Sequence, residues 1–283
     1  MMVVARFGAL RALVLALAGT MAMMSPAWAV TVKADYAITL AGLAIGHASL
    51  TGNFEDQRYT LKLDGQLTGI AGALSGGTQG AATSQGRVTS AGQLDSSGFA
   101  ATGKTSSAQR TLQIGLRAGT VTIVEINPPF ELQPDRIPLG EGDTRGVVDP
   151  LTAIVAVPAN RARPLDPAAC NRTLPIFEGT QRFDVVLSFA GREIVKKPGY
   201  DGEVLVCTAR YVPIAGHRPL RPVVRFMADN KDISVWLAPA EGGRVLVPVR
   251  ISVATMLGTT LIDAQSVQLG GAGPRPAEAA PTR

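Results

Sequence analysis

The sequence is poor in the residues that most enzyme chemistries require. Its 283 residues include two histidines, His47 and His217, and two cysteines. So few nitrogen and sulfur ligands do not make a convincing metal site, and the serine-hydrolase pattern G-x-S-x-G is absent. A catalytic thiol is disfavoured because it needs an activating group such as histidine beside it. We therefore predict no metal, no cofactor and no catalytic residues, with a glycan hydrolase that uses paired carboxylates as the open alternative.

Long apolar runs are confined to the first 29 residues. Arg6 and Arg11 accompany an apolar run, and Ala27-Trp28-Ala29 gives the A-x-A pattern at which signal peptidase cleaves. The pattern predicts a signal peptide at residues 1–29 and a mature chain from Val30, with a retained membrane anchor as the alternative. Since no later run is long enough to span a bilayer, we expect an exported, soluble, periplasmic protein.

Strong charge and linker-like segments are also scarce. The formal net charge is +5, which gives little reason to expect nucleic acid as a partner. The interior has no Pro/Ser-rich linker, so we predict a single domain over residues 30–269. Residues 270–283 are rich in glycine, alanine and proline and predict a disordered tail.

The chain does contain segments in which every second residue is apolar. Phe183, Val185, Leu187 and Phe189 alternate with mostly polar residues, which is typical of a strand with one buried face. Similar patterns recur from Val30 to Gln268, and glycines inside them indicate bulges or curvature. The sequence therefore predicts an all-β fold with one or two short helices, in which a large curved antiparallel sheet forms a partial or closed β-barrel.

One short helix is indicated at Asp149-Pro150. Aspartate is favoured as an N-cap, and proline is favoured at the first helical position. We expect an apolar helix from Leu151 to Val157, ended by Pro158 and buried against the sheet.

Cys170 and Cys207 are the only cysteines, 37 residues apart. In an oxidising compartment such a pair usually forms a disulfide, and we predict this bond here. The alternative is two unrelated buried thiols.

A nucleotide-binding motif is present but lacks its context. The residues from Gly98 to Thr105 fit G-x-x-x-x-G-K-T, yet neither a buried strand before them nor a helix after them is indicated. We therefore predict a polar turn and no nucleotide.

The segment Tyr211–His217 contains Pro213 and Gly216, which predict a loop. Arg218, Arg221 and Arg225 follow, and alternation puts Arg221 and Arg225 on one face of a predicted strand with Val223. Arginine favours anion binding, so the candidate ligand rim is Tyr211, His217, Arg218, Arg221 and Arg225. The alternative is a solvated edge strand whose charges prevent aggregation.

Several short motifs are similar to those of DUF3108, a family of exported bacterial proteins of unknown function. The resemblance covers most of the mature chain and implies an exported β-rich domain without assigned catalytic residues. It departs from the expected pattern at Glu178, where an aspartate is expected. The motifs are Asp149-Pro150-Leu151, Cys170, Phe177-Glu178-Gly179 with Arg182, Cys207, Arg210 to His217, Val235-Trp236-Leu237, Pro248-Val249 and Leu257-Gly258-Thr259.

These observations favour a periplasmic binding or carrier module for an apolar or amphipathic ligand, because a curved sheet of this size can enclose a cavity. The expected partner is a lipid or another envelope component. An envelope assembly or scaffold protein that contacts an envelope protein partner is the alternative, and a periplasmic hydrolase is disfavoured. Nucleic acid and nucleotides are not expected.

Overall fold

Alternating apolar residues form one large sheet. The computed structural model describes residues 29–55, 57–69, 72, 77–89, 93–131, 133–158, 160 and 162–272. Over that part of the chain, fourteen strands form a single sheet, with two short α-helices beside it. The predicted signal peptide lies outside the described residues except for Ala29, where the first strand begins.

The first seven strands are consecutive hairpin partners. They are β1 (Ala29–Leu40), β2 (Leu43–Phe54), β3 (Arg58–Leu67), β4 (Gln79–Val88), β5 (Leu94–Lys104), β6 (Gln109–Arg117) and β7 (Thr120–Asn127).

A connection without strands follows and carries helix α1. The remaining elements are α1 (Pro150–Ala153), β8 (Arg172–Phe177), β9 (Arg182–Lys197), β10 (Tyr200–Ala215), α2 (Pro222–Asp229), β11 (Ile233–Pro239), β12 (Leu246–Thr255), β13 (Gly258–Gln268) and β14 (Gly271–Ala272).

The two ends of the chain meet in the middle of the sheet. The strand order is β7-β6-β5-β4-β3-β2-β1-β13-β12-β11-β10-β9-β8, every pairing is antiparallel, and β14 adds to β1. Within the described residues no pairing joins the edge strands β7 and β8. The predicted all-β fold is confirmed, and of the two predicted forms the sheet takes the partial barrel.

The segment before α1 bridges the gap between the two edges. Val147 N donates to Gly119 O over 2.9 Å, at the β6–β7 turn. Val148 N donates to Pro175 O of β8 over 2.8 Å. This short parallel bridge holds the chain inside the curved sheet, next to the point where α1 begins.

The main core lies on the concave face and surrounds α1. Buried residues from ten strands contribute to it, including Phe177 of β8, together with Val147, Leu151 and Val155. The larger contributors from the strands are Val30, Val32, Tyr36, Leu50, Phe54, Tyr59, Leu61, Phe99, Ile114, Leu116, Val204, Val247, Val249 and Val267.

A second, smaller core lies on the other face of β10–β12. Cys170 and Cys207 form the predicted disulfide there, with their Cα atoms 5.4 Å apart. Ala156 and Leu246 exchange backbone hydrogen bonds of 3.0 and 2.7 Å. The chain after α1 therefore covers the convex face, and the disulfide fixes it to β10.

Helix α1 is buried as predicted but shorter than predicted. It ends at Ala153 rather than at Val157, and all of Leu151, Thr152 and Ala153 are buried. The helix cannot continue because Ala156 is already paired with Leu246 in extended conformation.

The predicted strand through Arg221, Val223 and Arg225 was wrong, since Pro222–Asp229 forms helix α2. Pro222 occupies the first helical position, where its fixed φ and missing N–H favour helix entry. This outweighs the strand preference of the following valines, and Val223 remains 56% exposed.

The predicted loop Tyr211–His217 was also mostly strand. β10 continues to Ala215, with Tyr211 opposite Val185 and Val212 opposite Asp184. Pro213 fits because the register shifts between Pro213 and Ala215, as at a β-bulge.

Two further expectations differ from the structure. The residues Gly98–Lys104 lie within β5, so they form a strand rather than a polar turn or a phosphate-binding loop. Part of the predicted disordered tail is structured, since Gly271–Ala272 pair with β1. Residues 273–283 lie outside the described part of the chain.

Over the described residues, neither α-helix is long and apolar enough to cross a membrane.

Candidate functional site

A cavity of about 610 Å³ lies on the concave side of the sheet. Its walls come from β1 to β5 and from β12 and β13, and they are almost entirely apolar. Ile38, Leu63, Ala101 and Ile251 line it, and Ile154 at the end of α1 contributes to its wall. Such a space suits hydrocarbon better than a polar substrate, since few polar groups are available to bind one.

Small residues on β4 and β5 make the space. Leu50 pairs with Leu63, Leu63 with Ala82 and Ala82 with Ala101, so these four side chains form one cross-strand row on the concave face. Where β2 and β3 carry leucine, β4 and β5 carry alanine, and the missing side-chain volume is left as cavity. β4 and β5 therefore carry few large apolar residues because they form part of the cavity wall.

Helix α1 is anchored by a buried carboxylate, Asp149. Asp149 is 0% exposed. Its Oδ1 accepts hydrogen bonds of 2.9 Å from the N–H groups of Leu151 and Thr152, as an N-cap does. Its Oδ2 accepts from the hydroxyls of Ser84 at 2.9 Å, Ser96 at 2.5 Å and Thr152 at 2.6 Å.

The hydroxyl protons in this cluster all point towards the carboxylate. Ser84, Ser96 and Thr152 each have one hydroxyl proton, and each donates it to Asp149. Tyr59 Oη lies 2.8 Å from Thr152 Oγ1, whose proton is already used, so Tyr59 is the donor in that bond. The cluster thus links β3, β4 and β5 to α1, and every hydroxyl proton in it is donated in a hydrogen bond.

Burial keeps the tyrosines of this region protonated. It raises the pKa of Tyr59 to about 12, and the nearby Asp149 charge acts in the same direction. Burial also raises the pKa of Tyr36, whose hydroxyl donates to Pro248 O over 2.7 Å at the cavity wall. Both rings therefore act as fixed hydrogen-bond donors at neutral pH.

The same geometry argues against catalysis at Asp149. A nucleophilic serine must be accessible to its substrate, whereas Ser84, Ser96 and the carboxylate that accepts from them are all buried. His47 is exposed on β2, and His217 lies after β10, so neither reaches this cluster. Among the described residues, no group of three His, Cys, Asp or Glu side chains could hold a metal ion.

The predicted rim residues lie elsewhere, and none of the five lines the apolar cavity. Tyr211 packs against Phe183, with ring centroids 5.2 Å apart. Arg225 lies on α2 and donates to Pro219 O over 3.2 Å. Arg221 is the N-cap residue of α2.

Of the five, Arg218 lies beside Asp135 and next to the buried His217, and the charge of Arg221 also acts on Asp135. Arg218 Nε donates to Asp135 Oδ2 over 2.9 Å, and this bond holds the pKa of Asp135 below its usual value. His217 is 8% exposed, and burial lowers the pKa of its imidazole. Anion binding at the five rim residues stays a prediction.

Sequence reasoning missed Arg136 and Glu178, which face this region. Arg136 Nη1 donates to Gly216 O over 2.5 Å, and its guanidinium lies 4.3 Å from the centre of the Phe130 ring. Burial raises the pKa of Glu178, although hydrogen bonds from Thr180 and Gln181 oppose the shift. The loop before α1 carries no strand or helix pattern, so nothing in the sequence indicated that Arg136 would lie against Gly216.

The chain is similar to proteins without an assigned function. A family model described as "Protein of unknown function (DUF3108)" matches residues 35–265. A solved structure described as "Crystal Structure of Beta-barrel-like Protein of Domain of Unknown Function DUF1849 from Brucella abortus" is 10% identical, with a TM-score of 0.45. That match covers 85% of this chain and 98% of the other. No curated protein matches the chain.

Proposed function

The chain belongs to the DUF3108 family, whose function is unknown, and we propose that it is a binding or carrier module for an apolar or amphipathic ligand. The single observation that carries this proposal is the apolar cavity on the concave face, about 610 Å³ in volume. Ligand pockets in proteins commonly measure about 300–1,000 Å³, so the cavity has room for a chain of hydrocarbon.

The anchoring of α1 supports the proposal. An apolar space that served only packing would tend to be filled by side chains, because empty space beside a core costs stability. Here the Asp149 cluster holds α1 in one place, and Ile154 at the end of α1 therefore cannot move into the space. The wall is thus built to keep the cavity open for an occupant.

The same proposal places the protein in the cell envelope. The signal-like sequence at residues 1–29 and the Cys170–Cys207 disulfide both suit export to an oxidising compartment. A lipid or another envelope component is then the ligand class available. Amino-terminal sequencing of the exported protein should read Val30 first, and a mature chain that begins at Met1 would contradict export.

Extraction of the native protein tests the ligand. Organic extracts of protein purified from its host should contain a lipid-like molecule by mass spectrometry. Ala101→Phe adds a ring on the cavity face of β5 and should remove it. Ala100→Phe, one residue earlier on the opposite face, is the matched control and should retain it.

The other candidate functions predict a different lipid content in these organic extracts. If wild-type protein and both variants are equally free of lipid, the cavity is not a ligand site and a scaffold role or an enzyme becomes the better account. If all three carry the same lipid, the ligand binds elsewhere on the chain.

A further inference from the structure

Arg172, the first residue of β8, is partly buried and forms no ion pair with any residue that the structure describes. Its Nε is fully buried and has no hydrogen-bond partner. Burial lowers the pKa of the guanidinium, and no acid contributes an opposing shift. Buried guanidinium groups are normally paired with a carboxylate or phosphate, because desolvating an unpaired charge is costly.

Arg172 lines a cleft of about 540 Å³ that is distinct from the apolar cavity. The cleft lies between β8 and the chain that leads into and out of α1. Its other walls are mostly apolar, including Val148, Val155, Pro158 and Leu174. It therefore offers one cationic group beside a hydrocarbon-like surface.

The free edge of β8 adds a backbone donor to the same cleft. In an antiparallel strand, alternate residues direct their N–H and C=O groups to the same side. Pro175 O and Phe177 N both bond to Val148, away from β9, so the N–H of Thr173 faces that side as well. Thr173 also lines the cleft.

The one acid in the cleft wall is engaged elsewhere. Asp166 Oδ1 accepts a hydrogen bond of 2.9 Å from Ala168 N and caps the short 3-10 turn Pro167–Ala169. Within the described residues it forms no ion pair with Arg172. The cation is thus left for a ligand.

We propose that this cleft binds an amphipathic acid, with its carboxylate or phosphate on the Arg172 guanidinium and the Thr173 N–H and its apolar body along Val155 and Leu174. The two donors match the oxygens of an oxyanion, and guanidinium binds such groups in two-point fashion. The site does not depend on whether the apolar cavity on the other side of α1 is occupied.

Calorimetric titration with hexanoate, hexanol and inorganic phosphate tests the site. Hexanoate should bind, and Arg172→Met should weaken its binding by about tenfold or more, because a charge-assisted hydrogen bond is lost. Hexanol has the same apolar body without the charge, so any binding of it to the apolar cavity should not change in Arg172→Met. Phosphate binding as tight as that of hexanoate would show that the head group alone is recognised, and would overturn the assignment of an amphipathic ligand.

Stability without ligand provides a second readout. Arg172→Met should raise the thermal midpoint, since it replaces an unpaired, partly buried charge with an apolar side chain of similar length. Arg117→Met, at an exposed position at the end of β6, is the matched control and should change neither hexanoate binding nor the midpoint. A lower midpoint in Arg172→Met with unchanged hexanoate affinity would mean that Arg172 serves folding only, and would overturn the proposal.

Discussion

Replacing Asp149 with alanine should destabilise the protein far more than the loss of an ordinary helix cap. The variant removes the cap of α1 and the acceptor that the hydroxyls of Ser84 and Ser96 share with Thr152. In this variant the hydroxyl of Thr152 can donate to Ser84 instead of Asp149, since the two hydroxyl oxygens are 2.8 Å apart. One cap and two unsatisfied buried hydroxyls together amount to about 2.5–8 kcal/mol.

The chain contains a matched control in Asp166. Asp166 also precedes a proline and also accepts from the N–H two residues ahead, but it is partly exposed and has no hydroxyl cluster. Asp166→Ala should therefore lose about 0.5–2 kcal/mol, the range for a cap alone. Urea unfolding of both variants measures the difference directly.

Equal losses in Asp149→Ala and Asp166→Ala would refute this account of the cluster. If Asp149→Ala does not fold, Ser96→Ala gives a milder test of the same idea. It removes one of the donors to Asp149 Oδ2 and should cost about 1–3 kcal/mol. No loss in Ser96→Ala would mean that the buried hydroxyls contribute little.

Three further outcomes are expected. Replacing Cys170 and Cys207 with serine should lower stability by about 2–4 kcal/mol in urea unfolding, and full alkylation of native protein without reductant would contradict the bond. Glu178 has a pKa raised above its ordinary value of 4.5, so wild-type stability should fall as pH rises above about 4.5. Glu178→Gln should flatten that fall. If the stability of this variant depends on pH as that of the wild type does, Glu178 is not the cause. Gly216→Val should lower the free energy of unfolding by about 2–4 kcal/mol or more, because Gly216 has a φ of +77° and a Cβ there would lie 2.0 Å from Thr180 O. Gly142→Ala is the control and should be tolerated, since there is open space around Gly142.

Elements with strong local patterns could be predicted from the sequence. The alternation at Phe183–Phe189 identified a strand that lies within β9 and pairs with β10, and the cysteines were correctly joined. The Asp149-Pro150 start of α1 was also correct, since cap and first-turn proline act over two or three residues. These signals work because their physical cause is local.

Errors arose where two local signals competed. The valines after Pro222 favour a strand, but the proline starts a helix, and the arginines were therefore placed on the wrong kind of element. Pro213 and Gly216 indicated a loop, yet a bulge lets β10 continue through Pro213. A single sequence does not say which of two such preferences tertiary packing will favour.

The candidate site depends on contacts between distant residues. Ser84 and Ser96 lie 65 and 53 residues from Asp149, in strands with few large apolar residues. In the folded protein, those hydroxyls face inwards because one buried carboxylate accepts them. Similarly, Ala82 and Ala101 reveal a cavity only when Leu63 and Leu50 are known to be beside them.

The most direct test of the proposed function is a binding titration with a polarity-sensitive fluorophore of the aminonaphthalene class. Wild-type protein should bind it saturably at the apolar cavity, Ala100→Phe should bind it equally, and folded Ala101→Phe should not bind it. Equal binding by both variants, or no binding by any of the three proteins, would contradict the claim that this cavity is a ligand site.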